Sequence, residues 1–292
     1  MSFQEVWTPF LIGPFLWFAG IAGMGSVAYA LMRFAKVEEK LRELSLTVFG
    51  SVVLALLFVV ADLSRPANMP LAILGSLASG VFLAKLTVSW MTLGISLLFL
   101  LLLATLALAL RHTALPAMAK LTDNKYFLAV LALIGLLVTL YSGFLVSSAP
   151  GVPFWNTSLI PILWLISASI CAVAVLKILV HDERVTRFLT TSGLALDVAE
   201  LAALAALINV ALYSGSVAAK MSAEALLVGE LAAAFWIGLV LLGVLAPLAL
   251  GFLLLKKEDR RLALAAAVLG LLGALVLRTL VIQAGIFEVL GL

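Results

Sequence analysis

Eight long apolar runs divide the 292-residue chain, and most of them match the roughly 20 residues that a helix needs to cross a bilayer core. We place the runs at about 10–31, 44–61, 86–110, 126–146, 159–179, 188–213, 226–255 and 262–282. Hydrophobic residues make up 65% of the chain and charged residues 11%, which leaves no room for a sizeable water-soluble domain. The sequence therefore predicts a single all-α integral membrane domain over residues 1–292, an eight-transmembrane-helix bundle. The long seventh run carries Pro247, so we expect a tilted or kinked helix there.

The positive charges follow the connections between these runs. Of 18 Lys and Arg residues, Arg65, Lys85 and Lys220 lie in even-numbered connections and Arg278 lies inside the last run. All the others lie in odd-numbered connections. The positive-inside rule then predicts that the odd connections are cytoplasmic and that both termini and the even connections lie outside a cytoplasmic membrane. The longest even connection, residues 62–85, is apolar in its second half, and we expect it to be partly helical.

The residue inventory excludes several kinds of redox chemistry. The two histidines, His112 and His181, fall in odd connections, whereas a haem between helices needs axial ligands within the spans. The single Cys171 cannot hold an iron–sulfur cluster, and no metal-binding or phosphate-binding motif is legible. We therefore predict no haem, no iron–sulfur cluster and no metal site in this chain. Any electrons that it handles come from a bound small molecule or from a partner subunit.

Polar residues near the predicted outer ends of the runs are the first site candidates, because charge inside a bilayer is costly. Asp62 and Arg65 close the second run just before Pro66, which stops the helix. They form either a structural cap or a rim that docks a partner or a ligand head group. Tyr141 lies late in the fourth run, and its phenol could donate a hydrogen bond to a quinone carbonyl.

A second outer group follows the fourth run as Phe154, Trp155 and Asn156. Its aromatic residues are either interfacial anchors or part of a docking surface. Arg278 falls in the outer half of the last run, where a buried guanidinium needs a carboxylate. Glu230, Asp62 and Glu288 are the candidates for that partner, in an arrangement that structural pairing alone would also explain.

Asp197 and Glu200 stand three residues apart on one face of the sixth run, near the middle of the membrane. Two carboxylates at that depth repel each other, a pattern that suits a proton relay. The alternative is a pair of buried carboxyl groups that are hydrogen-bonded for structural reasons. Glu230, a few residues into the seventh run, is a third candidate for the same proton pathway.

Taken together, the motifs resemble the NrfD-like family, the integral membrane subunits of polysulfide-reductase-type complexes. The resemblance covers about residues 7–285, and its pieces are Gly20-Ile21-Ala22-Gly23, Asp62-Leu63-Ser64-Arg65-Pro66, Ser89-Trp90-Met91-Thr92-Leu93-Gly94, Tyr141-Ser142-Gly143, Pro153-Phe154-Trp155-Asn156 with Leu159-Ile160-Pro161, Glu200, and Arg278 with Gln283-Ala284-Gly285. One departure concerns the first run, where some relatives carry an Asn and a His as quinone ligands. Here residues 11–18 are apolar apart from Trp17.

The resemblance implies a quinone-binding or quinol-binding subunit, of unspecified quinone type, with its catalytic centre in another subunit. A peripheral four-cluster iron–sulfur subunit and a molybdopterin catalytic subunit would dock on the outer face and exchange electrons with the quinone. The expected quinone-binding residues are Tyr141, Asp62, Arg65, Trp155 and Arg278. The expected docking residues are Arg65, Pro66, Phe154, Trp155 and Asn156.

Two other functions fit the residues. A proton-coupled secondary transporter would share the eight spans and the Asp197–Glu200 pair, although the two halves of the chain show no convincing repeat. A purely structural membrane anchor would tether a catalytic subunit and bind no quinone. The partners that co-purify with the protein separate these possibilities.

Overall fold

The computed structural model describes residues 3–63, 75, 76, 78–257 and 259–288. Within these residues, eight helices are long and apolar enough to cross a membrane. They are α1 (Pro9–Phe34), α2 (Leu41–Asp62), α3 (Trp90–Thr113), α4 (Lys125–Ser147), α5 (Leu159–Leu179), α6 (Glu183–Leu212), α7 (Ala234–Lys256) and α8 (Arg260–Gln283). The predicted all-α, eight-helix membrane fold is confirmed, and the chain is a multi-pass membrane protein.

The third span begins later than its apolar run. A separate short helix, Phe82–Val88, precedes it, and Ser89 adopts an extended conformation with φ −119° and ψ 107°. The Ser89 hydroxyl accepts a hydrogen bond from the Thr92 N–H at 3.3 Å and so caps the first turn of α3. The capping serine therefore divides the apolar run into a connecting helix and a spanning helix.

The seventh span changes its winding along its length. Ala234–Leu245 is π-helical, and Ala246–Lys256 continues as an α-helix. Pro247 stands at the second position of the α-helical part, where its missing N–H is tolerated. The irregularity expected at this proline is thus a change of helix type. The connection before this span contains a separate helix, Val217–Leu227, which takes up the first two residues of the apolar run.

The eight helices form two four-helix bundles, α1–α4 and α5–α8. Within each bundle, every helix packs against its sequence neighbours, and the first packs against the last. The bundles join along a broad interface made by α1, α4, α5 and α8. Because it touches α2, α4, α5 and α8, the first helix lies at the centre of the molecule.

Small residues allow this central position. Gly23 lies backbone to backbone against Gly135 of α4, where a side chain on either residue would overlap the opposite carbonyl oxygen. One turn earlier, Gly20 faces the guanidinium of Arg278 and the methyl group of Ala168. The glycine-rich face of the first helix is therefore a close-packing surface toward both bundles.

Contacts between connections gather them at two ends of the molecule. At one end, which we call the terminal face because both ends of the described chain lie there, the Gln4 N–H donates to the Gly285 carbonyl at 2.8 Å. At the same end, the Glu288 N–H donates to the Gly151 carbonyl at 3.0 Å. At the opposite end, which we call the basic face, Asp123 binds both Arg33 and Arg111. The alternation of connections expected from the charge pattern is thus built into the packing, while the membrane side of each face stays a prediction.

Candidate functional site

A cavity of about 420 Å³ opens among α1, α2, α3 and α4 near the terminal face. Its walls are mainly apolar side chains from all four helices, with the connection before α3 closing one side. The lining residues are Trp7, Ile12, Phe15, Leu16, Leu56, Val59, Asp62, Leu63, Ser76, Phe82, Lys85, Ser89, Met91, Thr92, Ile95, Leu98, Tyr141, Leu145 and Val146. A mostly apolar pocket of this size with a few polar groups is typical of a small-molecule site.

Tyr141 supplies a buried polar group of this cavity. The residue is 6% exposed, and its hydroxyl has no hydrogen-bond partner among the residues that the structure describes. A buried phenol ordinarily has a partner, so this hydroxyl is free to donate to a ligand in the cavity. The sequence predicted a ligand-facing tyrosine at this position, and the structure places Tyr141 on the cavity wall.

The position of the Tyr141 ring depends on a glycine of the neighbouring helix. A Cβ on Gly94 of α3 would overlap the Tyr141 ring and hydroxyl. On the other side, Gly143 lies against the backbone of Pro161 at the start of α5, which fixes that end of α4. Gly94 and Gly143, neither of which was predicted to act in the site, thus hold the tyrosine in place.

Asp62 lines the same cavity from the end of α2. Its carboxylate accepts a hydrogen bond from the Thr8 N–H at 3.1 Å, at the N-cap position of α1. The aspartate therefore caps the first helix while one of its faces remains toward the cavity. Arg65 and Pro66, which were predicted to act with it, lie outside the described residues.

Trp155 is placed behind the cavity wall. It is 3% exposed, its indole N–H donates to the Val281 carbonyl at 2.7 Å, and its ring stacks on Trp7 with 5.4 Å between centroids. Trp7 lines the cavity, so Trp155 supports a cavity residue. Of the predicted docking group, Phe154 is also buried, and Asn156 is exposed on the terminal face.

Arg278 does not line the cavity but sits fully buried among α1, α5 and α8. Its guanidinium donates to the Ser167 hydroxyl at 2.8 Å and to the Ala274 carbonyl at 3.0 Å. It also lies over the Trp164 ring, 5.5 Å from the centroid. This arrangement holds a cation deep in the protein.

The carboxylate nearest this cation is Glu200 of α6, which lies next to Ser167 and is 3% exposed. The acids suggested by the sequence are engaged elsewhere. Asp62 accepts from Thr8, Glu288 binds the Ser216 hydroxyl, and Glu230 is exposed. Pairing of Arg278 with those three residues was therefore the wrong expectation, because α5 packs against both α6 and α8 and brings Glu200 to the cation instead. We call Trp164, Ser167, Glu200 and Arg278 the polar cluster.

Asp197 lies about one turn from Glu200 toward the basic face and is buried beside Lys177 of α5. A lysine at the end of an apolar run usually extends to the interface, but Lys177 is 6% exposed and turns inward. Gly193 makes room for its ammonium group, since a Cβ there would lie 3.2 Å from the Lys177 Nζ. The predicted carboxylate pair is thus flanked by two cations that come from other helices.

Several cavity residues were not singled out from the sequence. Trp7 comes from the segment before α1, and Lys85, Ser89 and Thr92 come from the connection and first turn of α3. The sequence motif from Ser89 to Gly94 was a signal for two of these residues, Ser89 and Thr92. Nothing in the sequence placed that motif opposite Tyr141, because the contact depends on how α3 packs against α4.

Comparison with known proteins agrees with this architecture. Among curated proteins, none matches the chain. A family model described as polysulphide reductase, NrfD, matches residues 1–289, which is nearly the whole sequence. The match includes all eight membrane-spanning helices and the residues around the cavity. The chain therefore belongs to the polysulphide reductase NrfD family of membrane subunits.

Proposed function

We propose that this protein is the quinone-binding subunit of a molybdopterin and iron–sulfur oxidoreductase complex. It would exchange electrons between the quinone pool and a peripheral four-cluster iron–sulfur subunit. The cavity among α1–α4 carries this proposal, because it combines apolar walls, a volume of about 420 Å³ and a free tyrosine hydroxyl. Ligand pockets of roughly 300–1,000 Å³ with few polar groups suit a molecule such as a quinone head group.

Tyr141 would hydrogen-bond one carbonyl oxygen of the quinone, and Asp62 would orient the head group or accept a proton. Quinol oxidation releases two electrons and two protons, so an acceptor carboxylate beside the ring assists the reaction. Lys85 lines the same cavity and adds positive charge to its wall. The apolar side chains of Ile12, Phe15 and Leu16 explain how α1 contributes to the site without polar ligands.

The polar cluster provides a route for protons between this site and the basic face. Gly20, which faces Arg278, is one helical turn from Leu16 on the cavity wall. From Arg278 the sequence of polar groups continues through Ser167 and Glu200 to Asp197. Glu230 does not join this series but lies in a groove of the terminal face with Glu5 and Glu224, where released protons would reach water.

The terminal face is the surface on which the iron–sulfur subunit and, through it, the molybdopterin subunit would dock. The cavity lies near that face, and electron transfer between quinone and cluster requires a short distance. The positive-inside rule assigns the same face to the outside of the cytoplasmic membrane. Asn156 is exposed there, and Arg65 and Pro66, which follow α2 in the sequence, lie outside the described residues.

The test compares Tyr141→Phe and Asp62→Asn with wild type in the purified complex. Quinol is added, and the reduction of the iron–sulfur chromophore is followed optically. Both variants are expected to assemble with their partners. Each is expected to lose at least tenfold in rate, since the loss of one interaction with the quinone worth about 1.4 kcal/mol corresponds to a factor of ten. Asp62→Asn retains an acceptor for the Thr8 N–H, so the cap of α1 is preserved.

Tyr213→Phe is the matched control, because Tyr213 is 82% exposed at the terminal face and lies away from the cavity. Normal turnover in both cavity variants would refute the assignment of the site. A complex that assembles and binds no quinone would favour a structural anchor. A protein that purifies without any iron–sulfur partner would favour a transporter.

A further inference from the structure

A second cavity lies at the opposite end of the molecule and is not part of the site above. It has a volume of about 340 Å³ and opens on the basic face among α1, α2 and α3. We call it the basic cleft, and its lining residues are Arg33, Glu38, Lys40, Leu41, Arg42, Glu43, Arg111 and His112. The Tyr29 hydroxyl meets the His112 ring at 3.2 Å on its α1 side.

The charges of the cleft do not balance. Arg33, Lys40, Arg42 and Arg111 face two carboxylates in the lining, those of Glu38 and Glu43. Asp123, just outside the lining, binds Arg33 and Arg111 together. One positive charge remains in excess after these three acids are counted, before any proton on His112. The cleft therefore attracts an anion.

One of its guanidinium groups keeps free donors. Arg42 is exposed and makes no ion pair with any residue that the structure describes. Arg33, in contrast, is engaged, because its terminal nitrogens bind Glu38 and Asp123 and its Nε is buried. A phosphate group, with several acceptor oxygens, matches such donors.

The backbone of the α1–α2 connection supports the same conclusion. Lys36 and Lys40 have φ values of 57° and 58°, in the left-handed region that non-glycine residues seldom occupy. Lys40 stands at the N-cap of α2 and provides no side-chain cap to that helix. The strained conformation thus places a lysine where the helix dipole already favours negative charge.

Apolar side chains beside the cleft indicate which phosphate compound fits. Leu31, Phe34 and Leu46 are 61%, 51% and 39% exposed, and they flank the cleft residues on α1 and α2. Acyl chains could lie along these side chains while the head group enters the cleft. Basic pockets between transmembrane helices on the cytoplasmic side are known to bind anionic lipid head groups.

We propose that the basic cleft binds a phosphate-bearing anion, namely the phosphodiester head group of an anionic lipid in the adjacent leaflet. Arg42 contacts the phosphate, and Lys40, which pairs with Glu43 at 3.2 Å and remains 44% exposed, adds positive charge beside it. Arg33 and Arg111 hold the floor of the cleft through Asp123. The site is independent of the quinone cavity and of the partner subunits. Lipid binding there would make the packing of α1, α2 and α3 at this end depend on the charge of the surrounding membrane.

The test measures binding of phosphatidylglycerol, phosphatidylcholine and inorganic phosphate to the detergent-purified full chain by native mass spectrometry. The cleft variant is Lys40→Gln with Arg42→Gln, which leaves the Asp123 interactions in place. Phosphatidylglycerol affinity is expected to fall about 25-fold in this variant, because each Lys or Arg near an anionic lipid contributes roughly a factor of five. The control is Arg187→Gln with Lys257→Gln, two exposed cations of the same face that do not line the cleft.

An unchanged affinity in the control and a loss in the cleft variant would establish the site. Equal losses in both variants, or equal binding of phosphatidylcholine, would overturn it, since either result means nonspecific association. Competition by inorganic phosphate identifies the source of the anion. Displacement of the lipid by millimolar phosphate indicates a free-phosphate site, and resistance to displacement indicates that the acyl chains contribute as well.

Discussion

In the α1–α4 bundle the helices leave a cavity of about 420 Å³ with few polar groups, whereas in the α5–α8 bundle they close tightly around Arg278, which is fully buried. Both bundles are built from apolar helices of similar length. The difference lies in the side chains that face inward. The first bundle has space and a free hydroxyl for a ligand, and the second has oppositely charged side chains, Arg278 and Glu200, buried near each other.

This contrast assigns different physical tasks to the two halves. A ligand site needs volume and a donor that is not already used, as at Tyr141. A buried charge needs close partners, because an isolated ion in a low-dielectric interior is expensive. The Arg278 guanidinium has such partners in Ser167, Ala274 and the Trp164 ring, while its Nε has no acceptor among the described residues. The two tasks meet on α1, which lines the cavity at Leu16 and touches Arg278 at Gly20.

The largest effect is expected from breaking the polar cluster. Arg278→Leu removes the buried cation and leaves the Glu200 carboxylate without its neighbouring charge, so the free energy of unfolding should fall by about 3–5 kcal/mol. Thermal and denaturant unfolding in detergent measure this loss. The double variant Arg278→Leu with Glu200→Leu should recover most of the stability, because no unpaired charge then remains. A single variant as stable as wild type would mean that the cluster is hydrated and not closed.

A cavity-side change tests the other half of the comparison. Gly94→Ala places a Cβ where the Tyr141 ring lies, so the ring must move and its hydroxyl leaves the cavity. Overpacking of this kind destabilises a protein by about 1–3 kcal/mol. Quinol oxidation by the complex should fall by at least about tenfold, as in Tyr141→Phe, because the same hydroxyl is lost from the site. The protein should still assemble with its partners.

Gly50→Ala is the matched control, since a Cβ at Gly50 meets nothing within 4 Å. Quinol oxidation should be unchanged in this variant. If Gly94→Ala retained full activity with normal quinol affinity, the position of the Tyr141 hydroxyl would be irrelevant to the reaction. The proposed site would then need another donor.

The helices were predictable from the sequence because each apolar run must satisfy its backbone hydrogen bonds internally within a bilayer. The boundaries depended on local capping that hydropathy does not report. Ser89 divides one run into two helices, and the π-helical turns of α7 end at the turn that contains Pro247. The alternation of the connections was equally readable, since an even number of spans returns the chain to the same face.

The pairing of charged groups was not predictable in the same way. Asp197 and Glu200 were found by their spacing, because both lie on one helix. Their partners, Lys177 and Arg278, come from other helices, and only the packing of α5, α6 and α8 brings them together. Several acids were predicted as partners of Arg278, and Glu200, which lies nearest to it, was not among them. Spacing along a helix is encoded locally, whereas contact across a bundle is not.

The smallest expected effect concerns the border of the cavity, where Trp155 was predicted to bind quinone and is found behind Trp7. Trp155→Phe removes the indole N–H that donates to the Val281 carbonyl and leaves that buried carbonyl without this donor. The free energy of unfolding should fall by about 1–2 kcal/mol. Because Trp7 still lines the cavity, the KM for quinol should stay within about twofold, well under the factor of ten that 1.4 kcal/mol represents.

Trp236→Phe is the control for this change, since the Trp236 N–H also donates to a backbone carbonyl, that of Leu227, but the residue is 49% exposed. Water can replace its hydrogen bond, so the loss of stability should be smaller there. Unfolding in detergent and quinol titration of the complex give the two readouts. A rise in KM without loss of stability in Trp155→Phe would place this ring in direct contact with the quinone. A loss of stability at constant KM would mean that Trp155 acts on the cavity only through Trp7.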